Sequence, residues 1–207
     1  MTDPRTQLVA ATYDAIADRF AGWRDEIVGD PRRAWLEALV SRVPEGGRVL
    51  ELGCGAGTPD TRLLAERFVV TGVDISAEQI ARARGNVPDA SFVHADFTEM
   101  TFEPASFDAV ASFYAFNHVP RELLGDLFAR IRAWLVPGGY LLAALGTGDT
   151  PGWTGEWLGT TTFFSSFTPT VNRELLAQAG FTLELDEVVT FREPEGEVTF
   201  HWVLGQT

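Results

Sequence analysis

Residues 49–57 constrain the fold of this chain most, because a short apolar run there contains an acid and then breaks into three alternating glycines. The run Val49-Leu50-Glu51-Leu52 is predicted to be a buried strand, and Gly53, Gly55 and Gly57 are predicted to form a tight turn into a helix. Glycines in such a turn let a ligand approach the backbone, and the free N–H groups at a helix start favour electron-rich atoms. The pattern is therefore typical of a nucleotide-binding α/β unit.

The spacing of these glycines leaves the ligand open. The dinucleotide-binding fingerprint G-x-G-x-x-G requires a glycine at position 58, where this chain has Thr58. A tight strand-to-helix turn that binds nothing would show the same local pattern. The choice between these interpretations depends on the rest of the chain.

Two further predicted strands also end in acids. Residues 68–74 end at Asp74, and residues 91–95 are followed by Asp96 and Phe97. Because the carboxyl ends of parallel strands share one edge of a sheet, Glu51, Asp74 and Asp96 are expected to converge on one crevice. A carboxylate at Asp74 suits the two hydroxyls of a ribose, and Asp96 beside Phe97 suits an adenine. Alternatively, Asp74 caps the helix that follows it.

The remaining pattern alternates strands and helices, which predicts a doubly wound parallel sheet in a single domain over residues 1–207. Residues 1–45 are expected to form an N-terminal helical cap. The predicted elements outside the acid-terminated strands are helices over residues 6–21, from residue 30 and over residues 121–135, strands over residues 107–114 and 140–145, and a C-terminal antiparallel hairpin over residues 181–191 and 198–204.

Residues 146–170 interrupt this alternation. The segment has no helical or strand period and is predicted to be irregular, yet it carries Trp153, Trp157, Phe163 and Phe164. Long irregular segments in compact domains are usually functional, and these aromatic side chains would be exposed in a disordered linker. We therefore predict a lid over an apolar substrate pocket, with plain surface packing as the alternative.

Charge and composition restrict the partners. A formal net charge of −13, with no basic run, disfavours nucleic acids and anionic membrane surfaces. No apolar run reaches membrane-spanning length, and the start of the chain lacks the features of a secretory signal, so a cytoplasmic location is expected. A single cysteine excludes an internal disulfide framework, and no cluster has metal-ligand spacing. The oligomeric state stays open.

Five segments of the chain occur in a recognisable order. They are Val49-Leu50-Glu51-Leu52-Gly53-Cys54-Gly55-Ala56-Gly57, Gly72-Val73-Asp74-Ile75-Ser76, Ala95-Asp96-Phe97, Phe107-Asp108-Ala109-Val110 and Leu135-Val136-Pro137-Gly138-Gly139. With these segments the chain resembles the class I S-adenosylmethionine-dependent methyltransferases of the bacterial small-molecule type. The resemblance implies a three-layer Rossmann-like α/β fold. Its seven-stranded, mostly parallel sheet has the order 3-2-1-4-5-7-6 with strand 7 antiparallel, and helices cover both faces.

The resemblance also implies S-adenosylmethionine as cofactor and assigns residues to it. The glycine turn would lie against the methionine part, and Tyr13 would belong to an N-terminal arm that closes over the cofactor. For Tyr13, core packing is the alternative. The implied cofactor-binding residues are Tyr13, Glu51, Gly53, Cys54, Gly55, Gly57, Asp74, Ile75, Gln79, Asp96, Phe97 and Phe113. The implied substrate-pocket residues are Tyr114, Asn117, Trp153, Trp157, Phe163 and Phe164.

The implied reaction is an in-line displacement that moves a methyl group to a small, apolar or aromatic acceptor. Alignment of the reacting atoms and exclusion of water supply much of the catalysis, and a base is needed only for alcohols, phenols or protonated amines. His118 is the candidate base because it follows the fourth strand; alternatively, it orients a loop. His94 and His201 are expected to be structural, and Cys54 a small residue of the turn.

Three other functions stay open at this point. An enzyme of this fold can bind the sulfonium cofactor and catalyse a reaction without methyl transfer, such as a cyclisation. An NAD-dependent oxidoreductase would use the same crevice, although Thr58 argues against it. A non-catalytic binding protein is disfavoured only by the aromatic lid. The sequence does not distinguish O-, N- and C-methylation.

Overall fold

The computed structural model describes residues 3–207, over which the chain forms six α-helices and nine β-strands. The helices are α1 (Pro4–Asp25), α2 (Arg32–Val40), α3 (Asp60–Ala65), α4 (Ala77–Asn86), α5 (Leu124–Trp134) and α6 (Pro169–Gln178). The strands are β1 (Arg48–Leu52), β2 (Val69–Asp74), β3 (Ser91–His94), β4 (Phe107–Ser112), β5 (Leu135–Gly146), β6 (Thr150–Trp157), β7 (Thr160–Ser166), β8 (Thr182–Glu193) and β9 (Gly196–Gln206).

Seven strands form the main sheet in the order β3-β2-β1-β4-β5-β9-β8. The strands from β3 to β5 are parallel, and β9 runs antiparallel to both β5 and β8. With β8 and β9 counted as the sixth and seventh strands of this sheet, the predicted order 3-2-1-4-5-7-6 with an antiparallel strand 7 is confirmed.

Strand β1 shows why the sheet is covered on both faces. Its side chains alternate between the faces, and all but the first residue are buried. Leu50 packs in a cluster with Phe128 of α5, whereas Val49 packs in a second cluster with Leu39 of α2. An apolar run without alternating polar residues therefore forms a central strand between two helical layers.

The prediction of an irregular segment over residues 146–170 is wrong. Strands β6 and β7 pair there as an antiparallel hairpin that is separate from the main sheet. Its two-residue turn consists of Leu158, with φ 49°, and Gly159, with φ 73°. Two successive positive φ values fit the type I′ turn that suits the twist of a hairpin. Leucine rarely adopts this conformation, so the usual sequence signal of such a turn is missing.

Several element boundaries also differ from the prediction. Helix α1 extends over residues 4–25 rather than 6–21, because Asp3 caps it by accepting a hydrogen bond from the backbone N–H of Arg5. Strand β5 begins at Leu135 rather than at residue 140, so residues 137–139 lie inside a strand. Among residues 3–207, no helix is long and apolar enough to cross a membrane.

Candidate cofactor and acceptor site

A pocket opens at the edge where the parallel strands end. Its floor, as the term is used below, consists of Gly53, Cys54 and Gly55 in the turn after β1, Asp74 at the end of β2 and Asp96 after β3. These residues are far apart in sequence, but the parallel arrangement brings their strand ends to one edge. The predicted convergence therefore holds for Asp74 and Asp96.

The glycine turn has a conformation that side chains would disturb. Gly53 has a φ of 75°, and a Cβ atom added to it would lie 2.3 Å from the Cβ atom of Ala115. The backbone N–H groups of Gly53 and Cys54 donate to the Val73 carbonyl at 2.8 and 3.1 Å. The turn is thus fixed to the end of β2 and packed beneath the loop that follows β4.

Asp74 is held by the backbone on both of its oxygens. Its Oδ2 accepts from the Gly55 N–H at 2.8 Å, and its Oδ1 accepts from the Ser76 N–H at 2.9 Å. Burial raises the pKa of the Asp74 carboxyl, and these two backbone hydrogen bonds oppose the rise. The residue that caps α4 is Ser76, whose Oγ accepts from the Gln79 N–H. Helix capping therefore does not explain Asp74, and each of its oxygens keeps a lone pair for a ligand hydroxyl.

Asp96 has one satisfied and one unsatisfied oxygen. Its Oδ1 accepts from the backbone N–H and the hydroxyl of Thr98, at 2.8 and 2.7 Å. Its Oδ2 is buried and has no hydrogen-bond partner among residues 3–207. A buried acceptor without a partner indicates a donor supplied by a ligand. Phe97 lines the pocket beside it.

The roof of the pocket, as the term is used below, consists of five aromatic rings. Tyr13, Phe20 and Trp23 come from α1, whereas Trp157 comes from β6 and Phe164 from β7. The centroid of Trp157 lies 5.4 to 5.9 Å from the centroids of the other four rings. Such distances are typical of packed aromatic pairs. Helix α1 and the hairpin therefore close the pocket together.

Hydrogen bonds fix α1 at both sides of the pocket. The Thr12 hydroxyl donates to the Thr161 carbonyl of β7 at 2.7 Å. On the other side, the Asp14 carboxylate accepts from the Ser76 hydroxyl at 2.6 Å and from the Glu78 N–H at 3.1 Å. Helix α1 thus links the hairpin to the start of α4.

His118 lies between the floor and the roof, in a short 3₁₀ turn after β4. Its Nδ1 is 2.8 Å from the Phe163 carbonyl, which can only accept, so Nδ1 carries the proton. Its Nε2 is therefore an acceptor, and the Tyr13 hydroxyl donates to it at 2.9 Å. Burial lowers the pKa of His118 to about 4, so the imidazole is neutral at neutral pH.

A charged wall completes the lining. The Arg32 guanidinium pairs with Asp60 at 2.6 Å and with Asp30 at 2.9 Å, and the Tyr114 hydroxyl donates to Asp30 at 2.7 Å. Tyr114 has a φ of 63°, a left-handed conformation that bulky residues seldom adopt. The Arg32 Nε and the Asp60 Oδ1 are buried without partners in the described part of the chain.

The comparisons with known proteins agree with this geometry. A family model described as a methyltransferase domain matches residues 49–139. A demethylmenaquinone methyltransferase from Beutenbergia cavernae is 33% identical over 160 residues, which cover 72% of this chain and 64% of that relative. The chain therefore spans less than two thirds of the length of this relative. These comparisons support a class I S-adenosylmethionine-dependent methyltransferase.

Two solved structures share the fold over the whole chain. A 1,6-didemethyltoxoflavin-N1-methyltransferase from Burkholderia thailandensis, with bound S-adenosylhomocysteine, has a TM-score of 0.75 and 23% identity, covering 100% of this chain and 91% of that one. The [4+2]-cyclase SpnF has a TM-score of 0.73 and 17% identity, covering 100% and 98%. At sequence identities this low, the similarity to these two structures shows a shared fold only.

The cofactor of this methyltransferase family is S-adenosylmethionine, and the pocket fits it. The unpartnered Asp96 Oδ2 calls for a donor such as the adenine amine, and Asp74 presents two oriented oxygens where a ribose would lie. Asp74 and Asp96 belong to the floor of the pocket, and the resemblance to the methyltransferases implied that both residues bind the cofactor.

Most of the predicted site residues line this pocket, and five do not. The residues brought together are Tyr13, Gly53, Cys54, Gly55, Asp74, Ile75, Asp96, Phe97, Phe113, Tyr114, Asn117, His118, Trp157 and Phe164. The residues outside the lining are Glu51, Gly57, Gln79, Trp153 and Phe163.

Each of these five has a physical reason for its position. Glu51 is buried beneath the floor, where it accepts from the Thr61 hydroxyl at 2.5 Å, and burial raises its pKa to about 8. Gly57 packs against α4, and Gln79 is buried behind the glycine turn. Because side chains alternate along β7, Phe163 points away from the side of Phe164 and contributes only its carbonyl to His118. Trp153 lies on the same side of β6 as Trp157, but it pairs with Phe164 further along the hairpin and is 45% exposed.

The sequence did not predict the charged wall of the pocket. Arg32 and Asp60 line the pocket, but each lies at the start of a helix, where charged residues are ordinary. Phe20 and Trp23 of α1 also line the pocket. The sequence Asp30-Pro31-Arg32 marks a helix start, but it does not indicate that Arg32 lines a pocket.

The remaining histidines and the cysteine have structural surroundings. His201 is buried and its Nε2 lies 2.9 Å from Asp186, whereas His94 contacts the Ile75 carbonyl at 3.0 Å. Burial raises the pKa of the Cys54 thiol, which disfavours the nucleophilic thiolate. Within residues 3–207, no group of three or more His, Cys, Asp or Glu residues is placed to hold a metal ion.

Proposed function

We propose that this chain transfers the methyl group of S-adenosylmethionine to a small, apolar or aromatic organic acceptor. One observation carries the proposal: the floor with its oriented carboxylates and the roof with its five aromatic rings line the same pocket. If the pocket had the floor but no aromatic roof, it would suit binding of a cofactor but would offer no site for an acceptor. The aromatic chamber adjacent to the cofactor position supplies a place for a second, apolar molecule.

The residues that would hold the cofactor follow from their free hydrogen-bonding capacity. Asp74 would accept from the ribose hydroxyls, and Asp96 from the adenine amine. The unpartnered Asp60 Oδ1 and Arg32 Nε offer one acceptor and one donor for the ammonium and carboxylate of the methionine part. When bound, the cofactor supplies a methyl group on a positively charged sulfur.

The roof would provide the catalytic conditions for an in-line displacement. Its rings exclude water and restrict the orientation of a flat acceptor, and correct positioning alone can contribute about 7 to 11 kcal/mol to lowering a barrier. His118 would act as the base for acceptors that lose a proton, since its imidazole is neutral at neutral pH. We place the acceptor among small molecules because a net charge of −13 repels nucleic acids.

The main alternative is a cofactor-dependent reaction without methyl transfer, such as a cyclisation. The similar fold of the [4+2]-cyclase SpnF keeps this alternative in view. Release of S-adenosylhomocysteine separates the two functions, because a cyclisation leaves the cofactor unchanged. An NAD-dependent oxidoreductase is disfavoured by Thr58 and by the match to a methyltransferase domain.

Two measurements test the proposal. Calorimetric titration should show tight binding of S-adenosylmethionine and little binding of NAD, and Asp74→Ala should weaken cofactor binding about 100-fold because charge-assisted hydrogen bonds are lost. A screen of small hydroxyl, amine and thiol compounds should then reveal acceptors through release of S-adenosylhomocysteine. Tight binding of NAD without binding of the sulfonium cofactor would contradict the proposal.

A further inference from the structure

We propose that Tyr13 is a catalytic residue that relays a proton from the acceptor to His118, and that the acceptor is therefore a hydroxyl compound of the phenol or enol type. This inference rests on the proposed methyl transfer. It gives Tyr13 a role beyond the cofactor contact implied by the sequence, and it names the class of group that is methylated.

The geometry of His118 leads to this role. The Nδ1–H donates to the Phe163 carbonyl, so Nε2 holds the only lone pair of the ring that can accept a proton. The Tyr13 hydroxyl occupies that lone pair at 2.9 Å. A substrate proton can therefore reach His118 without a rearrangement only through the Tyr13 oxygen.

The Tyr13 oxygen is free to receive that proton. Its hydroxyl donates to His118 and makes no other hydrogen bond within residues 3–207, so both of its lone pairs remain for an acceptor group. Tyr13 and His118 both line the pocket, next to Asn117 and Phe164. An acceptor hydroxyl in the aromatic chamber would thus have the Tyr13 oxygen as a neighbouring acceptor.

Three separate parts of the chain hold the pair in place. Tyr13 comes from α1, His118 from the turn after β4, and the Phe163 carbonyl from β7. The ring of Phe164 lies 4.5 Å from the imidazole, and the Tyr13 ring meets it edge-on at 5.3 Å. Such contacts fix the orientation and the tautomer of the imidazole, which a base in a relay requires.

The step balances in atoms and charge. The acceptor oxygen bonds to the methyl carbon, and the carbon–sulfur bond breaks with its electron pair left on sulfur. The acceptor proton moves to the Tyr13 oxygen as the original Tyr13 proton moves to Nε2 of His118. The products are a methyl ether, a neutral sulfide, a neutral Tyr13 and an imidazolium, so the site carries one positive charge before and after.

A weak base suits this sequence of events. Burial lowers the pKa of His118 to about 4, so it does not ionise a phenol, whose pKa is about 10, before the reaction. The hydroxyl becomes strongly acidic only as its oxygen acquires the methyl group, and the proton then moves downhill. The imidazolium forms as the sulfonium charge disappears, which reduces the cost of a buried cation.

The test compares acceptors that do and do not need a base. At pH 8 and saturating S-adenosylmethionine, release of S-adenosylhomocysteine is measured with 4-methoxyphenol, which is un-ionised, and with 4-nitrophenol, which is ionised. Tyr13→Phe should lower kcat at least 100-fold for the first and less than ten-fold for the second, since general-base catalysis contributes about 10² to 10⁴. The affinity for S-adenosylmethionine should change little because the ring is kept.

Two further variants control the experiment. Tyr140→Phe removes a hydroxyl that hydrogen-bonds Glu184 and Gln206 outside the pocket, so it should leave both rates unchanged. The double variant Tyr13→Phe with His118→Ala should be no slower than the slower single variant, because residues of one relay act as a unit.

The outcomes separate the relay from the methyl transfer on which it rests. Equal losses for both phenols in Tyr13→Phe, additive losses in the double variant, or methylation of amines and thiols without any hydroxyl compound would overturn the relay while leaving methyl transfer standing. If no compound of any class releases S-adenosylhomocysteine, the proposed function itself fails and the relay fails with it.

Discussion

The floor of the pocket is held by backbone hydrogen bonds between neighbouring strand ends, whereas the roof is held by side chains from distant segments. Asp74 is oriented by two backbone N–H groups and Gly53 by the Val73 carbonyl. In the roof, Trp157 meets Tyr13 and Trp23 only through ring contacts. The comparison suggests that substitutions in the floor disturb the fold, and that substitutions in the roof can change the acceptor without unfolding the protein.

The largest expected effect is in the floor, at Gly53. Gly53→Ala places a Cβ atom 2.3 Å from the Cβ atom of Ala115 in a backbone with a φ of 75°. Overpacking and the left-handed conformation together should cost about 2 to 4 kcal/mol of unfolding free energy in urea denaturation.

Gly85 is the matched control for this substitution. A Cβ atom on Gly85 of α4 would meet nothing within 4 Å, so Gly85→Ala should stabilise the protein by about 0.5 to 1 kcal/mol through helix propensity. Similar free energies of unfolding for the two variants would contradict the view that the backbone of the floor tolerates no side chain.

The second prediction concerns the dependence of stability on pH. Glu51 is buried below the floor and His118 below the roof, and their pKa shifts change the stability in opposite directions as the pH rises. Burial raises the pKa of Glu51 from 4.5 to about 8, so its contribution to stability is full below pH 4.5 and is lost as the pH rises through 8. Burial lowers the pKa of His118 from 6.5 to about 4, so its contribution is full above pH 6.5 and is lost as the pH falls through 4.

Glu51→Gln should therefore flatten the alkaline side of the stability profile by up to about 5 kcal/mol, and His118→Gln the acid side by up to about 3 kcal/mol. Both substitutions keep a hydrogen-bonding side chain of similar size. The measurement is the urea midpoint of each variant and the unchanged protein between pH 4 and 9. A change on the opposite side, or an equal change on both sides, would show that the pKa shifts are assigned to the wrong groups.

The floor could be predicted from the sequence because its determinants are local. The glycines, Asp74 and Asp96 each follow an apolar run, and the topology of parallel strands brings such positions together. The same reasoning failed for Glu51, since it lies one position before the end of β1 and its side chain points below the floor. Placement on a strand end is therefore predictable, whereas the direction of a side chain near that end is not.

For the roof, the sequence predicted that aromatic residues cover the pocket, but not which of them line it or how they are held. Aromatic residues in α1 and in residues 146–170 indicated a cover, but the hairpin depends on a turn at Leu158-Gly159 that has no clear sequence signal. The alternation of side chains along β7 then decides that Phe164 lines the pocket and Phe163 does not, whereas Trp153 and Trp157 share one side of β6 and differ in their position along the strand. The contact of Tyr13 with His118 joins residues 105 positions apart, which no local pattern encodes.

The third prediction tests whether a substitution in the roof leaves cofactor binding by the floor unchanged. Trp157→Ala removes contacts with four rings and should cost about 2 kcal/mol of stability, less than a fully buried tryptophan would. Trp153→Ala, on the same strand but 45% exposed, should cost less than 1 kcal/mol. Calorimetry should find the affinity for S-adenosylmethionine nearly unchanged in both. A large loss of affinity in Trp157→Ala would show that the roof also holds the cofactor.

The smallest expected effect lies where α1, which carries part of the roof, is hydrogen-bonded to the start of α4. Asp14 accepts from the Ser76 hydroxyl and the Glu78 N–H, so Asp14→Ala should cost about 1 kcal/mol and speed cofactor dissociation by loosening α1 over the pocket. Asp18→Ala, in the same helix, removes a 95% exposed carboxylate that pairs with Arg82 and should change neither quantity measurably. Stopped-flow dissociation of S-adenosylmethionine measures the difference, and equal rates in the two variants would mean that α1 stays closed through its ring contacts alone.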